Sequence, residues 1–307
     1  MKSESDTPRL GVIGDIVEDI VVLPSAPFAA GSDTPSRIVR RRGGSAANVA
    51  VAAAQLVGTR FIGCIGDDPA GRQLVRWLDD EAPGIDYRLQ ASSDTPTGAI
   101  MVLVDDTGER HMFPDRGANR CLADLDDVWL DGLRVVHVTA YSLDGGDTAI
   151  TVTKTLAHLS GLGCLISFDA SSQALIEQFG VAEFAALVDR IGPSIVFANA
   201  AEAALLGWDV PHTSLNRVVV VKHGGEPVLI RTMLGAWNVP VERLSVKDTT
   251  GAGDAFAAGV LASIVSEGLD RHSLLMMEQW RATDLIEAGQ AQANWWLRRP
   301  SAHNNGR

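Results

Sequence analysis

Several short apolar runs constrain the fold of this chain more than any other feature: "LGVIGD", "TRFIGCIGD", "VVHVTAY", "CLISFDAS", "SIVFANAAE" and "VVVVKHG". Runs of four to eight apolar residues without polar alternation suit strands buried on both faces of a parallel sheet. Helical patterns lie between them, at Ala46–Leu56, Gly71–Asp80, Thr148–Leu159, Ala182–Arg190 and Ala201–Leu206. This alternation predicts an α/β fold with a doubly wound, mostly parallel sheet flanked by helices. In open α/β sheets the ligand crevice lies at the carboxyl ends of the strands. Asp15, Asp169 and Asn199, which close three of the runs, are therefore expected to face it.

Two stretches break the alternation. Val21 to Arg42 holds three prolines and no helix signal, and Thr97 to Asn119 reads as a hairpin turning at "DDTG". Both are expected in a small β lid, contributed by about 20–42 and 97–119, on a domain running from 10 to 300. Residues 1–8 and 301–307 are polar and expected to be disordered tails.

The net charge of −12 argues against nucleic-acid binding, which needs clustered Lys and Arg. Cys64, Cys121 and Cys164 are far apart and form no C-x-x-C pair, so they read as reduced thiols of a cytoplasmic protein. No run is long and apolar enough to span a membrane, and the N-terminal stretch lacks the apolar core of a signal peptide.

The chemistry concentrates in "VKDTTGAGDAFAAGVLAS", Val246 to Ser263. Small residues in a tight turn lead directly into a helix, and a helix N-terminus attracts anions. Asp254 then reads either as a cap or as a base beside an anion held by that turn. "LGVIGDIVED" does not supply a dinucleotide fingerprint. "GDDPAGRQ" has Arg72 and Gln73 where a phosphate-binding P-loop needs Lys and Ser or Thr. Phosphate, if handled, is handled without a P-loop.

Six motifs in order resemble the ribokinase-like (PfkB) family of carbohydrate and nucleoside kinases: "GDIVED" with Asp19, "GGSAAN" at Gly43–Asn48, "GDDPAG" at Gly66–Gly71, "GAN" at Gly117–Asn119, "NAAE" at Asn199–Glu202 and "DTTGAGDAFAAG" at Asp248–Gly259. The resemblance implies an ATP-dependent kinase acting on a hydroxymethyl group of a sugar or nucleoside. It implies Asp254 as base, Gly251, Ala252 and Gly253 as anion hole, and Asp19, Gly43, Gly44 and Asn48 at substrate hydroxyls. Asn199 and Glu202 would organise Mg²⁺, largely through water, and Asp248 and Thr250 a monovalent cation such as K⁺. Lys222, Gly224, Asn199 and Gln290 would face the nucleotide, although Pro227 replaces a usual glycine and His223 reads as a bystander. The lid would support a homodimer.

The acceptor stays open. "RIVRRR", Arg37 to Arg42, reads as a solvated lid strand, or Arg40 or Arg42 meets an acidic substituent of the substrate. Phe28, Met112, Phe113 and Tyr141 are candidates to enclose a nucleoside base, but the sugar-kinase pattern is the better match. A non-catalytic sugar-binding regulator and a dinucleotide oxidoreductase are the remaining alternatives. Intact Asp254 disfavours the first and the missing fingerprint disfavours the second.

Overall fold

The structure is a computed structural model. It describes residues 8–27, 31–105, 107, 109–210, 216–242, 244 and 248–299. Phe28 and nearly all of both expected tails lie outside the described residues.

The apolar runs are strands: β1 (Leu10–Ile13), β4 (Thr59–Gly66), β8 (Val135–Thr139), β9 (Leu165–Asp169), β10 (Ile195–Asn199) and β11 (Val218–His223). They run parallel with β5 (Asp86–Ser92) in the order β11-β10-β9-β8-β1-β4-β5. An antiparallel edge, β12 (Glu226–Arg231) and β13 (Ala236–Val239), extends the sheet beyond β11. The chain leaves β1 toward β4 and β5, then returns to the other side of β1 as β8. That reversal makes the carboxyl ends of β1 and β8 the expected crevice.

Helices pack on both faces of this sheet, giving two apolar layers. The expected helices are α1 (Ser45–Ala53), α2 (Pro69–Glu81), α3 (Gly146–Gly161), α5 (Val181–Ile191) and α6 (Ala200–Leu206). A short α4 (Gln173–Phe179) precedes α5; α7 (Ala252–Glu267), α8 (Arg271–Leu275) and α9 (Gln279–Arg298) follow. Helices α1 and α7 are alanine-rich and buried nearly all round, which lets them lie side by side between sheet and α9. At Gly259 an added Cβ would come within 2.4 Å of the Ala288 carbonyl, so only glycine allows α9 to approach α7 so closely.

The irregular stretches form a second sheet, β3-β2-β6-β7, from β2 (Val17–Pro24), β3 (Ser36–Gly43), β6 (Ala99–Val104) and β7 (Arg110–Asp115). It begins at Val17, earlier than the sequence pattern suggests, because β2 continues straight on from the crevice loop after β1. "GDDPAG" braces this sheet to the larger one. Asp68 caps α2 through the Gly71 N–H at 2.8 Å and also accepts from the Thr97 N–H and hydroxyl at 2.8 and 2.7 Å. Asn119 of "GAN" accepts from the Ile16 N–H at 2.8 Å, tying the loop after β7 to the start of β2. Among the described residues no helix is long and apolar enough to cross a membrane.

Candidate active site

A cavity of about 830 Å³ lies between the two sheets, at the carboxyl ends of β1 and β8. Two helices open onto it, and both begin at a glycine with left-handed backbone. At α1 this is Gly44, φ 98°, where an added Cβ would stand 2.5 Å from the Asp15 carbonyl oxygen. The Asp15 carboxylate accepts from the Ser45 and Ala46 N–H groups, both at 3.1 Å, so it fills the mouth of α1. At α7 the glycine is Gly251, φ 78°, and among the described residues no side chain caps the helix. Ala252 donates its N–H back to the Thr249 carbonyl at 3.1 Å, which tightens the turn. The Trp296 indole donates to the Thr250 carbonyl at 3.0 Å and closes the far side of Gly251.

Asp254 sits in the first turn of α7 and lines the cavity. Burial pushes its carboxyl up to about 7; Asp169 and Asp15 add to this, while the Asn48 hydrogen bond and Lys222 oppose it. Asn48 donates from Nδ2 to Asp254 Oδ2 at 2.9 Å. Arg42 donates to Asn48 Oδ1 at 2.9 Å and to Glu81 at 2.8 Å. A guanidinium can only donate, so Arg42 fixes which end of the Asn48 amide faces Asp254. Asn48 thus supports the base as well as bordering the cavity.

Asp19 also lines the cavity, folded over Gly43, where any Cβ would collide with its carboxylate. Burial raises its pKa despite Arg41, whose Nε is 3.4 Å from Oδ2. Lys222 bonds Asp169 at 2.7 Å. Burial works against its charge, but Asp169, Asp254 and Glu202 together outweigh this and raise its pKa. A Cβ on Gly253 would lie 3.3 Å from Lys222 Nζ, so the ammonium stands directly beside the α7 turn.

Asn199 and Glu202 form a reciprocal cap on α6. Asn199 N–H and Nδ2 donate to the two Glu202 oxygens at 2.8 and 2.7 Å, and Glu202 N–H donates to Asn199 Oδ1 at 2.9 Å. Burial and Asp169 raise the Glu202 pKa. Among the described residues no group of three or more His, Cys, Asp and Glu could cage a metal. A buried Glu202 beside an exposed Asn199, with unspent lone pairs, fits a cation held through its waters. Gly224, φ 63°, turns β11 into β12, and Gln290 donates to the Pro240 carbonyl at 2.8 Å; neither borders the cavity. His223 bonds the Pro227 carbonyl at 3.0 Å within that turn.

Asp248 and Thr250 do not form an open cation cage. Asp248 pairs with Arg110 at 3.1 Å and Arg41 at 3.4 Å, and Arg110 also bonds the Thr250 hydroxyl. Burial opposes ionisation of Asp248, yet Thr250 and Arg110 bring it down to about 2. The basic stretch differs from one expectation. Arg40 pairs with Glu18 at 3.0 Å on the second sheet, Arg42 is committed to Asn48 and Glu81, and neither borders the cavity. The arginines that do border it are Arg116 and Arg120, which the sequence reading did not single out. Arg116 directly precedes "GAN", the one local signal that could have found it. Of the aromatic candidates, Tyr141 lines the cavity beneath the Arg116 guanidinium, 4.0 Å from its ring centroid. Met112 lines it too, whereas Phe113 alternates to the outer face of β7 and is 58% exposed.

The chain is similar to known kinases over nearly its whole length. Residues 8–305 match the model of the pfkB family carbohydrate kinases. An ATP-dependent ribose-1-phosphate kinase of Halopiger xanaduensis is 33% identical over 234 residues, 74% of each chain. A fructokinase of Klebsiella pneumoniae is 29% identical, covering 85% of this chain and 86% of its own, and an adenosine kinase of Saccharomyces cerevisiae is 26% identical, covering 80% and 77%. The Xylella fastidiosa fructokinase solved with bound ATP superimposes with a TM-score of 0.80 at 20% identity, covering 96% of this chain and 94% of its own, a likeness of fold. The chain belongs to the PfkB family of carbohydrate kinases.

Proposed function

We propose that this kinase transfers the γ-phosphoryl group of ATP to a hydroxymethyl group of a sugar or sugar-derived acceptor, with Asp254 as base. The observation that carries this reading is the Asp254 carboxyl, held near neutrality at the uncapped mouth of α7, in one cavity with Asp19, Gly44 and Asn48. The acceptor O–H bond breaks as its oxygen bonds phosphorus. The proton goes to Asp254, and the bond from phosphorus to the ADP oxygen breaks. A loose transition state makes catalysis largely positioning and charge stabilisation. The Gly251 and Gly253 end of the turn, with Lys222 beside it, supplies donors and positive charge for the transferring group, and the expected Ala252 donor is not among them because its N–H is spent on the Thr249 carbonyl. Asp19 and Asn48 orient acceptor hydroxyls, and Gly43 and Gly44 let them approach the backbone. Magnesium on the nucleotide supplies charge neutralisation when bound, and Asn199 and Glu202 would hold it through water. Gly224 and Gln290 belong to the nucleotide side of this reading.

A sugar is favoured over a nucleoside because one face of Tyr141 is covered by Arg116 and Phe113 points away from the cavity. The second sheet serves as a lid. Its outer face carries Ile38, Met101 and Phe113, 60, 48 and 58% exposed, and we assign that face to a homodimer. Sedimentation should give a dimer for the native chain and a monomer for Met101→Glu/Phe113→Glu; a monomeric native chain would remove the assignment. We assign the protein to the cytoplasm, a reading that its three free thiols support. The direct test of function is MgATP-dependent ADP release, with melting temperature read in parallel, against pentoses, hexoses, sugar phosphates, sugar acids and nucleosides. ADP release coupled to a sugar or sugar derivative supports the reading, and release with nucleosides alone overturns it in favour of the nucleoside kinase.

A further inference from the structure

The arginines around the cavity differ in how far they are already engaged. Arg41 and Arg110 pair with aspartates at 3.1–3.4 Å, and Arg42 bonds Asn48 and Glu81 within 2.9 Å. Arg116 is different. Its side chain is only 16% exposed, yet its nearest carboxylate oxygens, on Asp15 and Asp144, are 3.9 and 4.0 Å away, beyond hydrogen-bond reach. The Asp15 oxygens already accept from two N–H groups at the positive end of α1. Stacking on Tyr141 holds the Arg116 fork in place at 4.0 Å from the ring centroid. Its donors border the same cavity as Asp254.

Arg120 stands at the same cavity in a fitted position. One of its N–H groups bonds the Asp144 carbonyl at 2.6 Å. Gly145, φ 95°, leaves space for it, since a Cβ there would come within 2.8 Å of Arg120 Nη2. A neutral sugar offers hydroxyls, which Asp19 and Asn48 already serve. It gives no compensation for a largely desolvated guanidinium with loosely spaced counter-charges. A phosphate or carboxylate does, because the guanidinium fork matches it with two parallel N–H donors.

We infer that the acceptor is an anionic sugar, carrying a phosphate or carboxylate group that Arg116 grips with help from Arg120, while another of its hydroxyls meets Asp254. This inference rests on the reading of the cavity as the acceptor site of the kinase and specifies its substrate class.

The test compares matched acceptors: a neutral pentose or hexose, its phosphate monoester, and the corresponding sugar acid. Native protein, Arg116→Gln, Arg116→Lys and Arg120→Gln are measured by ADP release and by ligand-induced melting shift, with unliganded melting reporting whether each variant folds. The native protein should prefer a charged acceptor. Arg116→Gln should raise KM for it about tenfold to a hundredfold, as expected for loss of a charge-assisted bond, with kcat little changed. Activity on the neutral sugar should fall several-fold less than activity on the charged acceptor, Arg116→Lys should recover part of the loss, and Arg120→Gln should show a smaller loss. The phosphate and acid arms show which anion is taken. If the neutral sugar is the better substrate and Arg116→Gln does not discriminate by charge, the subsite is overturned and the kinase reading stands. If the sugar phosphate or acid stabilises the native protein but not Arg116→Gln, and no acceptor releases ADP, the subsite stands and the kinase reading falls.

Discussion

The mouths of α1 and α7 are built alike and used differently. Each begins at a glycine in left-handed conformation, each opens on the same cavity, and the helices lie side by side. At α1 a carboxylate from the preceding loop, Asp15, satisfies two backbone N–H groups and makes the helix start a structural joint. At α7 no side chain among the described residues takes that place, and the nearby carboxylate, Asp254, belongs to the helix itself. A carboxylate fills the α1 mouth, whereas at α7 the Ala252 N–H turns back to the Thr249 carbonyl. An N-terminal glycine turn is therefore not evidence of a phosphate site until its N–H groups are traced to their acceptors.

Asp254→Asn should break the comparison most severely. Loss of a general base costs about 10²–10⁴-fold in kcat, while the fold and nucleotide-induced melting shift should survive. Near-native turnover would show that α7 bears no base. The same carboxyl carries a pH signature. Its folded pKa of about 7 lies above the ordinary value of about 3.9, so the native state favours the protonated form. Its contribution to stability is full below about pH 4 and lost as pH rises through about 7. Asp254→Asn should accordingly melt higher than native protein above about pH 7, with no advantage near pH 4, and native kcat/KM should rise through about pH 7.

Alanine at the two glycines gives the next contrast. At Gly44 the new methyl meets main chain, the Asp15 carbonyl at 2.5 Å, and the positive φ adds strain of about 1–3 kcal/mol. At Gly251 it meets the Trp296 side chain at 2.8 Å, which can shift. Gly44→Ala should lose more melting temperature, and Gly251→Ala should lose more turnover at equal folded fraction. Equal effects on both readouts would erase the distinction between joint and ligand site. The smallest expected effect is that of Asp15→Asn, about 1 kcal/mol of stability from weakened capping. With one negative neighbour gone, the Asp254 pKa should fall and the kcat/KM profile should move to lower pH.

The pattern of legibility follows the range of the interactions. Strands β1, β4 and β8–β11 are apolar on both faces, and α2 has Asp and Pro at its start, so each declares itself within a few residues. Strand β5, "DYRLQAS", is a half-buried edge, and β12 begins Glu-Pro, so neither stands out. The turn at Gly251 and Asp254 is written in adjacent positions. The Glu81–Arg42–Asn48–Asp254 chain is not, because it joins α2, β3, α1 and α7 across 212 positions, from Arg42 to Asp254. Likewise, strand alternation alone cannot tell which of Met112 and Phe113 faces the cavity until the register of β7 against β6 is known.

Arg41 and Arg110 add a last consequence. Both come from the second sheet and place positive charge on Asp248, just before the α7 turn. A mobile ion at such a place follows the composition of the medium and is lost when that ion is scarce. A cation anchored to the backbone has no dissociation equilibrium of its own, and its local concentration is set by the chain. The charge beside the α7 turn is therefore supplied by the position of the second sheet.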